Sequence, residues 1–243
     1  MSTLIYAHRG ASGYAPENTL AAFSLAVEQG AEGVELDVQF TRDKHIIVTH
    51  DERIDRVSDG SGRVCDLSLK DIKKRKFGIN HIGYEEEKAP TLSEVLELLK
   101  DTNLNINIEL KNSVIPYIGL EEACLELVAR LSMEDRVLYS SFNHYSMLEL
   151  KQLNPAARCG VLYNCHLIRP WEYAKKLNVD AIHPHYSEIL LTPEECDKAH
   201  EAGLEVNTWT VNEEPDMRKV ILAGADILIT NYPDRAIALR ESL

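Results

Sequence analysis

No long apolar run occurs in this 243-residue sequence. Hydrophobic residues make up 44% of it, yet the mean hydropathy is −0.24. No stretch approaches the roughly 20 apolar residues that a membrane-spanning helix needs. The first ten residues, MSTLIYAHRG, lack the basic start and apolar centre of a secretory signal. The expectation is a cytoplasmic protein without an integral membrane segment. Cysteine is sparse and unpatterned: Cys65, Cys124, Cys159, Cys165 and Cys196 are odd in number and show no C-x-x-C spacing. That argues against a zinc ribbon or a disulfide framework and predicts reduced thiols. Positive charge is also short, 26 Lys and Arg against 39 Asp and Glu, for a net charge of −13. Nucleic-acid binding needs a basic footprint that this chain lacks. An anionic ligand would have to be drawn by a local cluster of cations or by a metal ion.

What is present is a regular alternation of short apolar runs with helical patterns. The predicted strands are residues 3–7, 33–40, 105–110, 136–141, 158–163, 181–184, 204–209 and 226–230. Segments such as NTLAAFSLAVEQGA, LSEVLELLK and PEECDKAHEAGL carry the i, i+3, i+4 spacing of amphipathic helices. Gly30, Gly203 and Gly224 each stand where a helix should end, and Pro193 and Pro233 where one should begin. Alternating β and α elements imply parallel strands with right-handed crossovers, and eight such units in about 250 residues make a (β/α)8 TIM barrel. A doubly wound open sheet would want a glycine-rich G-x-G-x-x-G turn after the first strand, and HRGASG is not one. The rhythm breaks once, after the second strand. An insertion at about residues 51–88 carries turn signals in SDGSG and a charged stretch, SLKDIKKRKFG. With no shift in composition, no internal repeat and no low-complexity tract, the whole chain, 1–243, reads as one domain.

The chemistry begins in GVELDVQF. Side chains alternate along a strand, so Glu35 and Asp37 share one face, and Val34, Leu36 and Val38 the other. Two desolvated carboxylates side by side repel each other, so one stays protonated or a cation holds both. The spacing recurs in NIELKN, where Glu109 and Lys111 project together from the neighbouring parallel strand. A purely structural ion-pair network is the alternative. An all-oxygen ligand set from Glu35, Asp37 and Glu109 suits one hard divalent cation, Mg²⁺ or Ca²⁺, over zinc. His8 ends the first strand and His50 ends the run HIIVTHD, so both should reach the rim beside the carboxylates. Two imidazoles there can serve as general acid and general base. Arg9 offers a fork of donors matched to phosphate oxygens.

Taken together, AHRGASGYAPENT, GVELDVQFTRDKHIIVTHD and IELK resemble the glycerophosphodiester phosphodiesterase family, and NTWTVN and GADILITNYPD resemble that family's last two strands. The likeness covers nearly the whole chain in order. It implies a barrel that hydrolyses glycerophosphodiesters to sn-glycerol 3-phosphate and an alcohol. By position, Glu35, Asp37 and Glu109 would hold the metal, His8 and His50 would be the catalytic acid/base pair, and Arg9 and Lys111 would bind the phosphate. The resemblance further implies that the substrate's own glycerol 2-hydroxyl attacks first, giving a cyclic phosphate that water opens. Two other functions remain open at this point: cleavage of lysophospholipid at a membrane surface, and a non-catalytic phosphate- or metal-binding module.

Other residues are assigned from position alone. Asn18 is expected as the N-cap of the first helix, with Glu17 supporting the site. Phe142 and Trp209, after their strands, would wall the pocket for glycerol. In HPHY, His185 is expected on the rim and His183 in the structure, and His200 is expected to be structural too. Lys70, Lys73, Lys74, Arg75 and Lys76 read as a solvated helix face, with a docking surface for anionic head groups as the alternative.

Overall fold

Side chains along each barrel strand point alternately to the outer and the inner face, and the sheet closes on itself. In the computed structural model, which describes residues 2–243, nine strands form one sheet: β1 (Leu4–His8), β2 (Gly33–Phe40), β3 (Ile46–Val48), β4 (Asn105–Leu110), β5 (Val137–Ser141), β6 (Arg158–Tyr163), β7 (Ala181–Pro184), β8 (Glu205–Thr208) and β9 (Ile227–Thr230). The order is β1-β9-β8-β7-β6-β5-β4-β2-β3, and β1 also pairs with β2. Eight strands thus make a closed parallel barrel. β3 lies outside it, antiparallel to β2. The helices are α1 (Leu20–Glu28), α2 (Leu69–Lys73), α3 (Leu92–Leu99), α4 (Leu120–Arg130), α5 (His144–Leu153), α6 (Pro170–Leu177), α7 (Tyr186–Leu191), α8 (Glu195–Glu201), α9 (Glu214–Leu222) and α10 (Pro233–Glu241). None is long and apolar enough to cross a membrane.

The main core lies between barrel and helices. Ile5, Ala7, Val34, Leu36, Val38, Ile106 and Ile108 face outward from β1, β2 and β4 and pack with Phe23 of α1 and with Leu92, Val95 and Leu96 of α3. Tyr6, Ile227 and Ile229 form a second, smaller cluster with Leu4 and Trp209. The register sets His8 opposite Glu35, and Asp37 opposite Glu109. That alignment delivers the charged side chains of three strands to the same end of the barrel.

Four strands have the bounds expected from sequence. The others begin one residue later, and β1 runs on to His8. Arg136 closes a 3-10 turn instead of opening β5. Trp209 lies beyond β8 and joins His185 only by an isolated bridge. Gly30, Gly203 and Gly224 follow α1, α8 and α9 with positive φ, as helix caps should. Pro233 is the first residue of α10, whereas Pro193 sits in the turn before α8. Helix boundaries commonly drift by that much. Residues 51–88 carry α2 and a 3-10 turn. They form a small core of their own, in which Ile54, Val64, Ile72 and Phe77 pack on Ile47 of β3.

Candidate active site

Glu35 and Asp37 of β2 and Glu109 of β4 meet at the C-terminal rim. One oxygen of each lies within 4.8 Å of the others. Glu35 and Asp37 are buried, and Glu35 Oε1 and Asp37 Oδ1 have no hydrogen-bond partner. Buried acceptors are seldom left unpaired, so two of them within this cluster of carboxylates mark a place for a cation. Burial and the charges of Asp37 and Glu109 push the Glu35 carboxyl well above its usual range; burial and Asp37 also raise Glu109. Burial also opposes ionisation of Asp37, but Arg9, His50 and Lys111 outweigh it and hold Asp37 at about 2. An all-oxygen cluster in which carboxylates suppress one another's ionisation fits a hard divalent cation, which would let all three ionise. The residues present therefore fit the group expected from sequence.

Cations interleave the carboxylates. Arg9 has φ 56 and turns back over the site. Its backbone N–H donates to Glu35 Oε2 (3.0 Å), its Nη1 donates to Glu17 Oε1 (2.9 Å), and its Nε lies 3.3 Å from Asp37 Oδ2. Gly10 next to it has φ 78, and a Cβ there would fall 2.6 Å from the backbone of Ala22. Only glycine fits between this loop and α1. Lys111 Nζ donates to Glu109 Oε1 (2.8 Å) and stands 3.9 Å from Asp37 Oδ1.

The two histidines face this cluster with different partners behind them. His8 Nδ1 donates to Asn231 Oδ1 (2.7 Å), which also accepts from Ser12 Oγ (3.0 Å), while His8 Nε2 lies 3.9 Å from Glu35 Oε2. Burial and the neighbouring Arg9 pull His8 down to about 4 and keep it neutral. His50 Nδ1 donates to Asp51 Oδ1 (2.7 Å). Its loop is pinned from beneath, because Gln39, buried on the same face of β2, donates through Nε2 to the carbonyls of Thr49, His50 and Asp51. Each imidazole is therefore held from behind through its Nδ1.

Asn18 does not cap α1. Thr19 does, accepting from the N–H of Ala22. Asn18 has φ 58 and is buried, and its Nδ2 donates to Asp37 Oδ2 (2.8 Å). A chain bent back at Arg9, Gly10 and Asn18 puts this amide on the carboxylate and leaves the next residue to start the helix. Glu17 binds Arg9, as just described, and also accepts two hydrogen bonds from Arg56 (2.8 Å each).

Phe142 and Trp209 stand edge to face with centroids 5.4 Å apart, and Lys111 Nζ lies 6.0 Å from the Phe142 ring centre. His185 abuts Trp209 at 5.2 Å. Of these three rings Trp209 borders a narrow cavity of about 20 Å³, which is lined also by His8, Glu35, Asn107, Glu109, Leu162 and Ile229. His183 is buried in the barrel, where burial lowers it to about 3, and its Nε2 meets Asn207 Nδ2 at 3.0 Å. His200 pairs with Asp226 at 2.8 Å. In the basic run, Lys73, Lys74 and Lys76 pair with Glu94, Asp71 and Glu86, the behaviour of a solvated face. Sequence reading missed Asn231, Asp51 and Arg56. Asp51, adjacent to His50 in THD, was the one with a visible signal.

The chain is similar to known proteins in sequence and in fold. The glycerophosphoryl diester phosphodiesterase family matches residues 8–235. A glycerophosphodiester phosphodiesterase of Caldanaerobacter subterraneus is 43% identical over 243 residues, covering 98% of each chain. The structure of an Oleispira antarctica phosphodiesterase, in complex with the product sn-glycerol-3-phosphate, superimposes with a TM-score of 0.90 at 30% identity, covering 99% of this chain and 97% of that one. A glycerophosphodiester phosphodiesterase of Thermotoga maritima gives a TM-score of 0.80 at 27% identity, covering 98% and 99%.

Proposed function

The chain belongs to the glycerophosphoryl diester phosphodiesterase family, and from that premise we propose that it hydrolyses glycerophosphodiesters to sn-glycerol 3-phosphate and an alcohol with one bound divalent cation, Mg²⁺ or Ca²⁺. The observation that carries the reading is the convergence of Glu35, Asp37 and Glu109, two of their oxygens unpartnered, beside His8, whose Nε2 lies 3.9 Å from Glu35 Oε2. We take the whole chain as one such domain and place it in the cytoplasm, in keeping with its five unpaired cysteines.

Glu35, Asp37 and Glu109 would hold the cation. When bound it supplies electrophilic stabilisation of the phosphoryl oxygens and offsets the carboxylates' charge. Arg9 and Lys111 bind the same oxygens and stabilise the charge that builds up in the in-line transition state. His8, neutral and backed by the amide oxygen of Asn231, takes the proton of the glycerol 2-hydroxyl as that oxygen attacks phosphorus. His50, whose Nδ1–H is held by the Asp51 carboxylate, gives a proton to the departing alcohol oxygen. A five-membered cyclic phosphate results. Water then opens it with the proton transfers reversed, and both rings return to their starting states. Phe142, Trp209 and His185 wall the side where the glycerol carbons sit.

A coupled assay for glycerol 3-phosphate tests this reading. Glycerophosphodiester hydrolysis should be lost on thorough chelation with EDTA and return with Mg²⁺ or Ca²⁺. Activity that survives chelation overturns the cation. A diester lacking the glycerol 2-hydroxyl should turn over at least about a hundredfold more slowly, and rapid cleavage would point to direct attack by water.

A further inference from the structure

We propose that Arg56 is a positioning residue for this hydrolysis: one guanidinium from the insertion fixes both the phosphate-binding Arg9 and the acid His50, acting through Glu17 and Asp51. The proposal rests on the reaction described above and adds a component from outside the barrel.

The geometry is that of a clamp. Arg56 Nη1 donates to Glu17 Oε2 and Nη2 to Glu17 Oε1, both at 2.8 Å. Its Nε donates to Asp51 Oδ2 at 2.7 Å, and Nη2 reaches Asp51 Oδ1 at 3.2 Å. Each carboxylate passes the contact inward. Glu17 Oε1 accepts from Arg9 Nη1 (2.9 Å), and Asp51 Oδ1 accepts from His50 Nδ1 (2.7 Å). Two chains of hydrogen bonds therefore diverge from a single side chain, one ending at each functional group.

Three features argue for a built device over a chance surface pair. First, the hydrogen bonds from Arg56 to Glu17 are the only ones among the described residues that join the loop following β1 to the insertion. Without them the two halves of this rim are held separately. Second, Arg56 lies close to Ile54, which is fully buried in the insertion's own core, and its carbonyl accepts from Asn80 Nδ2 (3.4 Å). The exposed guanidinium is thus carried on an anchored backbone. Third, Glu17 and Asp51 are both held below the usual carboxylate range against the pull of burial, with Arg56 the largest favourable influence on each. Two carboxylates brought together this way repel unless a cation lies between them. The task also suits arginine alone: a planar fork with five N–H donors spans two carboxylates, whereas an ammonium is a point charge that cannot hold both in plane.

Arg56 touches neither the carboxylate cluster nor the space above it, so its effect should fall on geometry at the reacting centre. Displacing a catalytic group by about 1 Å costs on the order of a hundredfold in rate. The experiment compares wild type, Arg56→Ala, Arg56→Lys, Asp51→Asn and the Arg56→Ala/Asp51→Asn double variant, with glycerophosphocholine and saturating Mg²⁺ or Ca²⁺. For each, kcat, KM and the thermal midpoint are measured. Arg56→Ala should lower kcat about 10- to 100-fold, leave KM within about threefold and leave the midpoint nearly unchanged. Guanidinium at tens of millimolar should recover part of the lost kcat, and Arg56→Lys should recover only a minor share. In the double variant the loss should be smaller than the product of the single losses by about tenfold, because both act on His50. Wild-type kcat in Arg56→Ala, a loss confined to KM, full rescue by lysine, or multiplicative losses would overturn the clamp. A wild-type protein inactive on every glycerophosphodiester tried would instead overturn the reaction, and the clamp with it.

Discussion

His8 and His50 differ less in position than in what stands behind them. A neutral amide oxygen holds the Nδ1–H of His8, and a carboxylate holds that of His50. An amide fixes the tautomer without favouring a positive ring, whereas a carboxylate does both. The proposed division of labour, base and acid, follows from that chemistry. His50→Ala should lower kcat by two to four orders of magnitude, the ordinary scale for losing a general acid. Turnover near wild type would remove His50 from the mechanism. Away from the site, Glu195 offers a residue-level test of stability. Burial and the charge of Glu188 raise it to about 7, with His166 opposing, and its Oε2 has no partner. In the unfolded chain the same carboxyl ionises near 4.5, so between these values the folded state holds a proton that the unfolded state has released. Its contribution to stability is therefore complete below about pH 4.5 and is lost as pH rises through 7. Glu195→Gln should leave stability at pH 5 almost unchanged and raise it at pH 8. The gain should be on the order of 1 kcal/mol, since solvent screens a half-exposed group. Urea denaturation at the two pH values measures it, and equal effects at both would contradict the shift.

At the scale of elements, strands proved far more legible than the loops that follow them. Alternation in GVELDVQF placed Glu35 and Asp37 on the inner face because a strand's side-chain period is two wherever the strand pairs. Parallel register then put Glu109 beside Asp37. Nothing in PENT says that Asn18 bends to positive φ and reaches Asp37, because a capping residue and a buried amide look alike in sequence. Arg56 was equally hidden. Its reach to Glu17 depends on how the insertion folds over the rim, and no local periodicity records that. Gly10 is where sequence and loop geometry meet. Gly10→Ala has both an unfavourable φ and a Cβ 2.6 Å from backbone, while Gly119→Ala at φ 84 has the φ alone and open space. Gly119→Ala should cost about 1 kcal/mol and Gly10→Ala about 3 kcal/mol. Equal costs in denaturant titrations would show that the loop yields to accommodate the methyl group.

For the whole molecule, the governing quantity is a net charge of −13 around a site that must admit a phosphate. At the rim, Arg9 and Lys111 answer the three carboxylates, and a bound divalent cation would turn the immediate neighbourhood slightly positive. These near charges act over a few ångströms and the remainder act over the full radius of the protein, so ionic strength separates them. The Debye length falls from about 30 Å at 0.01 M salt to about 8 Å at 0.15 M. At low salt an approaching anion feels the repulsion of the whole surface; at physiological salt it feels mainly the rim. For glycerophosphoglycerol, a net anion, kcat/KM should therefore rise about two- to fivefold between those conditions at constant saturating divalent cation. For glycerophosphocholine, whose quaternary ammonium cancels the phosphate charge, it should change little. A steady fall with salt for the anionic substrate would mean that the local cations dominate at every distance, and that the acidic surface has no part in substrate capture.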